Sequence, residues 1–240
     1  MNNVVAIIPA RSGSKTLIDK NIKILSGHPL LAYSIAAAKM SKRIDRVIVS
    51  TNSRKYAEIA LNYGAEAPFI RPNKYSNDES TDRDFLLHAM KWFDKYEEFL
   101  PEYWVHLRPT TPLRDVNIID KAIDDLISNK LASSLRSAHK APESPLKWFV
   151  KNDGYFKGVV DNERYNLPKE QFDQFYVPDG YVDIVKASWM LQNDSIHGDK
   201  IIAFESPICT EVDSIEEFRY IEYQITENDR LLNQLNNNIK

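Results

Sequence analysis

Two hydrophobic rhythms alternate along the chain. "VVAIIPA" at residues 4–10 is a continuous β-branched run, the pattern of a strand covered on both faces. "PLLAYSIAAAKM" then places leucines and alanines at helical spacing, and "RVIVST" is again a short β-branched run, so the order is strand, helix, strand. "SRKYAEIALNYGAEAPFIRP" repeats the unit, with a helix ending at Gly64 and a strand predicted around Phe69. In "STDRDFLLHAMKWFDKYEEF" the residues Phe85, Leu86, Ala89, Met90 and Trp92 or Phe93 fall on one helical face. "YWVHLRP" predicts the next strand and "VNIIDKAIDDLISNK" the next helix.

Such alternation predicts an α/β fold, Rossmann-like, with a mostly parallel sheet and helices on both faces. The rhythm breaks near Ala132, where short alternating segments mix with Pro142, Pro145 and Gly154; a small antiparallel excursion is expected there. "DGYVDIVKASWML" returns to strand and helix, "KIIAFESP" is a last strand, and residues 214–235 form a closing helix before the polar tail "NNNIK".

At 240 residues and 43% apolar content, a single main domain is expected over residues 1–240. A formal net charge of -3 gives no general attraction to nucleic acid or anionic membrane. The opening "MNNVVAIIPARSGSK" lacks the basic start and cleavage site of a secretory signal and is too short to span a membrane, so a cytoplasmic location is expected. Cys209 stands alone, which excludes an intramolecular disulfide and predicts a buried, inert thiol.

Against that mild background the first loop stands out. "ARSGSKTLIDKN" sets Arg11, Lys15 and Lys20 around Ser12 and Gly13 at the carboxyl end of the first strand, where α/β sheets bind ligands. Small residues let backbone N–H groups approach an anion closely, and the cations neutralise its oxygens. A Walker A loop is excluded because Pro9 and Ser14 stand where that motif needs glycine, and Gly13 lacks the companions of a dinucleotide fingerprint. Solvated cations on a polar turn remain the plain alternative.

The opening loop, "STN" after the second strand, "LRPTTPLRD" and "EVDSIEEF", in that order, resemble the cytidylyltransferases that activate acidic sugars: the CMP-acylneuraminate synthetases and their relatives for legionaminate, pseudaminate and 3-deoxy-octulosonate. The resemblance runs over residues 4–218, is weak over 133–176 and recovers at "DGYVDI". It implies a nucleotidyltransferase that joins CTP to an acidic eight- or nine-carbon sugar with Mg²⁺ and releases pyrophosphate. It also implies a homodimer, with residues 133–180 as a small dimerisation and acceptor subdomain. By matching position, Arg11, Lys15 and Lys20 contact the triphosphate, and Ser12, Gly13 and Asn21 shape the nucleotide pocket. Asp78, Ser80 and Thr81 lie against the cytidine, and Glu211 and Asp213 match a pair of metal-binding carboxylates.

Residues two apart on an extended backbone point to one side, so Glu211 and Asp213 suit one Mg²⁺ ion completed by phosphate oxygens. Helix capping by Asp213, or by Ser214 with Glu217, is the structural alternative.

Departures from the family pattern concentrate on the acceptor side. Arg108 stands where the family usually has a glutamine facing the sugar, Thr16 replaces a glycine, Ile18 replaces a proline, and "GYVDI" replaces a more apolar run. Arg108, Arg164, Gln171, Tyr181 and Asp183 are therefore candidate acceptor contacts. Arg114 has an equally good reading as a structural ion pair with Asp115 or a neighbouring helix. The aromatics Trp92, Phe93, Trp148 and Trp189 are expected in core or subunit packing, and the histidines lack zinc spacing. A related enzyme using another nucleotide or a sugar phosphate, or a catalytically silent nucleotide-binding regulator, remains open.

Overall fold

The computed structural model describes residues 3–160 and 163–226. β1 (Val4–Pro9) leads through the polar loop to a two-stranded ribbon, β2 (Ile24–Leu25) and β3 (His28–Pro29), and into α1 (Leu30–Met40). Then follow β4 (Arg46–Ser50), α2 (Arg54–Asn62), α3 (Asp82–Tyr96), β5 (Tyr103–His106) and α4 (Val116–Ser128). β6 (Ser134–Lys140), β7 (Phe149–Asn152), β8 (Tyr155–Gly158) and β9 (Tyr176–Lys186) come next, and α5 (Ala187–Gln192), β10 (Ile201–Glu205) and α6 (Ile215–Thr226) complete the described chain. The rest of the predicted closing helix, with the tail, lies outside the described residues.

Six strands form one sheet in the order β10-β6-β9-β5-β1-β4. β1 is parallel to β4 and β5, β10 is parallel to β6, and β9 runs antiparallel between β5 and β6. The alternate residues of β1 divide between two cores, which is why the run is apolar throughout. Val4, Ala6 and Ile8 pack with Leu31, Ile35, Tyr56, Ile119 and Ile123 from α1, α2 and α4. Val5 and Ile7 pack with Phe85, Leu86, Met90 and Phe93 of α3 and Met190 of α5. Burial of each Val, Leu, Ile, Phe or Met side chain among them stabilises by about 1.5–3 kcal/mol. α6 lays Phe218 and Ile221 on Leu30 and Tyr33 of α1, with Val212 beneath them.

The strand predicted around Phe69 is reduced to two isolated parallel bridges, Ile48 to Glu66 and Thr51 to Ile70. Pro68 and Pro72 bracket the segment, and each removes the N–H that a continuous ladder needs. After Ala132 the chain first adds β6 to the main sheet, before β9 and β10 join it. The antiparallel hairpin β7–β8 is a separate two-stranded sheet. Trp148, expected in packing, is more than half exposed, and Phe149, Val150, Tyr155 and Phe156 are exposed beside it.

Candidate active site

The carboxyl ends of β1 and β5 open into a cleft of about 240 Å³ lined by Arg11, Lys20, Asn21, Arg71, Ser80 and Arg108, among others. A larger cavity, about 640 Å³, lies at the opposite ends of the strands around Tyr103, Ser133 and Lys186, so size alone does not mark the ligand end of the sheet.

The opening loop is held by side chains rather than by secondary structure. Asn52 Oδ1, two residues beyond β4, accepts from the backbone N–H (2.9 Å) and hydroxyl (3.2 Å) of Ser12. Asn21 Nδ2 donates to the Arg11 carbonyl at 2.9 Å. Gly13 has φ +85° in the tight turn, a conformation glycine adopts without steric cost. Ser12 therefore spends its N–H on Asn52 and shapes the loop. Arg11 and Lys20 reach the cleft wall, whereas Lys15 is exposed.

Each loop cation meets a carboxylate from a distant segment. Arg11 Nη1 lies 3.1 Å and Lys15 Nζ 2.5 Å from Asp78, whose carboxyl they hold below its ordinary range. Asp78, expected against the cytidine, is here the counter-ion of the two loop cations, because opposite charges attract across the loop–loop gap. Ser80 lines the cleft, with its hydroxyl on Asn77 Oδ1 at 2.7 Å. Thr81 also lines it while beginning α3: Asp84 Oδ2 accepts from its N–H at 2.8 Å and its hydroxyl at 3.0 Å.

Lys20, with only 13% of its side chain exposed, donates to the Val212 carbonyl and to Asp213 Oδ1, both at 2.9 Å. The capping alternative falls to Ser214, whose hydroxyl accepts from Glu217 N–H, while Glu217 Oε2 accepts from the N–H groups of Asp213 and Ser214. The Asp213 carboxylate is thus left to Lys20. Val212 is buried between Glu211 and Asp213. Burial, with the nearby negative charges of Asp213 and Asp179, raises the Glu211 pKa against the pull of Arg108. No group of three or more His, Cys, Asp and Glu residues disposed to hold a metal occurs among the described residues.

The loop after β5 is built differently. Arg114 is buried and donates to the carbonyls of Tyr181 (2.6 Å), Arg108 (2.8 Å), Gly180 (3.1 Å) and Thr111 and to Ser34 Oγ (2.9 Å). The expected ion pair is replaced by carbonyl partners, and Asp115 instead caps α4 by accepting from Asn117 N–H at 2.9 Å. Burial lowers the Arg114 pKa to about 10, which leaves it charged at neutral pH.

The acceptor candidates separate. Arg108 lines the cleft. Tyr181 does not: it is buried with the α4 core, and its hydroxyl accepts from Asp115 N–H. Asp183, also buried, is removed as a direct contact and serves as an ion-pair partner of Arg108. Arg164 and Gln171 occupy two 3-10 turns away from the cleft wall, with the Arg164 guanidinium 5.4 Å from the Phe172 ring and Gln171 exposed. Both follow the β7–β8 hairpin in the chain, and neither lines the cleft.

Arg71 escaped the sequence reading. It is 3% exposed, lines the cleft, and has Nε and Nη2 buried without a hydrogen-bond partner in the structure. Desolvation and repulsion from Arg11 lower its pKa to about 10. A lone cation between Ile70 and Pro72, in a segment otherwise apolar, was the available signal. Buried polar groups are normally paired, so this guanidinium fits an anionic or carbonyl-bearing ligand.

The strand ends of this α/β sheet gather Arg11, Lys20 and Arg71 at one cleft, a concentration of positive charge suited to an anionic ligand. The sequence profile described as "Cytidylyltransferase" matches residues 5–176, and the chain belongs to that family.

A Campylobacter coli protein named post-translational flagellin modification protein B is 30% identical over 95% of this chain and 97% of its own. The N-acylneuraminate cytidylyltransferase of Escherichia coli O18:K1:H7 is 42% identical over half of this chain, but the match spans only 27% of that longer protein. Among solved structures, CMP:2-keto-3-deoxy-manno-octonic acid synthetase complexed with CTP superposes with a TM-score of 0.72, covering 93% of this chain and 98% of that one. Its sequence identity is 15%, so that likeness concerns the fold.

Proposed function

We propose that the chain transfers the cytidylyl group of CTP to an acidic nonulosonic or related 2-keto-3-deoxy sugar, releasing pyrophosphate. The observation that carries this reading is the convergence of Arg11, Lys20 and Arg71 on one cleft, with Lys15 beside it. Lys15 and Arg11 share an exposed counter-ion, and Lys20 pairs with an exposed carboxylate. A polyphosphate can replace those carboxylates at little cost, since exposed ion pairs contribute little. The Campylobacter jejuni relatives named pseudaminic acid cytidylyltransferase, 28% identical over 92% of this chain, support the acidic-sugar acceptor.

In this reading the anomeric hydroxyl of the sugar attacks the α-phosphorus in line with the departing pyrophosphate. Lys20 and Arg11 stabilise charge on the phosphate oxygens, Lys15 follows the leaving group, and Arg71 binds a ligand oxygen at the cleft floor. Glu211 with Asp213 suits Mg²⁺, because the Glu211 carboxylate, made costly by burial and by the nearby charge of Asp213, gains from a divalent cation. Bound there, the ion would supply charge neutralisation and acidify a coordinated hydroxyl. The exposed aromatics Trp148, Phe149, Tyr155 and Phe156 support a homodimer formed through residues 133–180, the segment that carries Arg164 and Gln171. The location proposed is cytoplasmic; no helix among the described residues is long and apolar enough to cross a membrane.

The test is pyrophosphate release with Mg²⁺, each of CTP, ATP, GTP and UTP, and a panel of N-acetylneuraminate, legionaminate, pseudaminate and 3-deoxy-octulosonate, with hexose 1-phosphates as the alternative acceptors. Release with CTP and one acid supports the reading. Release only with sugar phosphates or another nucleotide, or none at all despite CTP binding, overturns it.

A further inference from the structure

We infer that Asp19 and Tyr56 are positioning residues that set Lys20 in the cleft; the part Lys20 plays there rests on the cytidylyl-transfer reading above. Asp19 has φ +53° and ψ +32°, in the left-handed region that few residues other than glycine, asparagine and aspartate enter readily. It immediately precedes the 3-10 turn Lys20–Ile22, and its carbonyl accepts from the Ile22 N–H at 2.9 Å. The reversal of the chain at Asp19 sends two neighbouring side chains apart. Lys20 lines the cleft and reaches Val212 and Asp213, whereas Asp19 turns its carboxylate to α2.

There Asp19 Oδ1 accepts from the Tyr56 hydroxyl at 2.9 Å, and Oδ2 lies 3.8 Å from Lys55 Nζ. Tyr56 is 2% exposed and packs in the core with Ile8 and Ile35, so its hydroxyl is a fixed point. Burial and the bond to Asp19 raise its pKa, and the phenol keeps the proton it donates. Asn52, four residues earlier, grips Ser12 through its N–H and hydroxyl. The short segment 52–56 therefore holds the first loop twice: Asn52 beside Arg11, and Tyr56 beside Lys20. Asn21 ties the two sides together through the Arg11 carbonyl.

The pairing of Lys20 with Asp213 cannot alone place the ammonium for catalysis, because Asp213 is an exposed carboxylate that a phosphate can replace. With that partner exchanged, the Val212 carbonyl and the backbone fixed at Asp19 still determine where Lys20 reaches. A misplacement of about 1 Å at a reacting centre can cost about a hundredfold in rate, so a fixed base for a flexible side chain matters. A carboxylate turned toward the phosphates would also repel them, and the Tyr56 hydrogen bond holds this one on α2.

The test compares wild type with Tyr56→Phe, which removes only the hydroxyl, and Asp19→Gly, which removes the carboxylate and keeps the left-handed turn accessible. Thermal melting checks folding. Acylation of lysines by acetic anhydride, followed by peptide mass spectrometry with the exposed Lys91 of α3 as reference, reads the Lys20 ammonium without any ligand. Lys20, 13% exposed in its pair, is expected to react at least about threefold faster in both variants, because its local opening becomes easier. Lys186, whose Nζ donates to the Ala132 carbonyl at 2.6 Å at the other end of the sheet, should keep its wild-type rate. In turnover each variant should lower kcat by at least about fivefold. On a Lys20→Ala background neither should lower it by more than about twofold further, because both act through that lysine.

An unchanged Lys20 acylation rate, an equal acceleration at Lys186, a kcat that both variants leave unchanged, or a loss of turnover that multiplies with Lys20→Ala would overturn the inference. If wild type turns over none of the sugars, the cytidylyl-transfer reading fails separately, and the acylation rates of Lys20 and Lys186 still decide the positioning. Asp19→Gly, which alters an exposed side chain, carries the test if Tyr56→Phe does not fold.

Discussion

Two loops leave neighbouring strands of one sheet, each carries several cations, and they use them in opposite ways. After β1, Arg11, Lys15 and Lys20 pair with exposed carboxylates, Asp78 and Asp213, that come from other segments. After β5, Arg114 is saturated by four carbonyls and a hydroxyl and holds the loop to β9 and α1. Exposed ion pairs exchange readily for a charged ligand, whereas a buried cation with every donor spent can only be part of the frame. Arg108, six residues before Arg114, stands between: it is clamped by Asp82 and Asp183 yet lines the cleft.

The contrast breaks most visibly at Arg114. Arg114→Met is expected to destabilise the fold by about 3–5 kcal/mol in chemical denaturation, because several buried acceptors lose their donor together. Lys20→Ala should behave oppositely, lowering turnover by about two to three powers of ten while the melting temperature moves by only a few degrees. Turnover equal to wild type would remove Lys20 from the site.

Smaller effects sharpen the same difference. Asp213→Asn is expected to raise the Mg²⁺ concentration for half-maximal rate by at least about tenfold, read from a Mg²⁺ titration at saturating CTP. Asp78→Asn should lower the KM for CTP by no more than about threefold, since it removes only an exposed competitor for Arg11 and Lys15. Those cations hold the Asp78 pKa down, so the pair is complete above the ordinary aspartate range and is lost only as pH falls through the lowered value. The KM difference between wild type and variant should accordingly be constant across neutral pH.

Cys209 marks the smallest effect. Burial pushes its thiol up to about 12, and its Sγ lies 3.6 Å from the Asp179 carbonyl. Alkylation of the native protein near pH 8 should therefore be much slower than after unfolding, because little thiolate is present.

Much of this was legible before folding was considered. The β-branched run of β1, the face formed by Phe85, Leu86, Ala89, Met90 and Phe93, and Ser214 with Glu217 as a cap all state their local preference in residue order. The cations of the first loop were equally plain, since three charges around a glycine need no distant information. Harder to read were the pairing of Asp78 with the loop cations and Arg71, one charge in a short apolar segment. Tyr181 and Asp183 are two apart on one strand, yet one joins the α4 core and the other the Arg108 clamp across a register shift between β6 and β9.

By itself, then, the order of residues determined the alternating elements, the mostly parallel sheet and the concentration of cations in the first loop. These depend on spacings of a few residues, which periodicity and capping express directly. Tertiary structure alone decided which carboxylate answers which cation, from Lys20 with Asp213 to Arg108 with Asp82 and Asp183. Ion pairs and buried donors act over a few ångströms in space, and partners separated by 26 to 193 positions in the chain leave no mark of that proximity in its order.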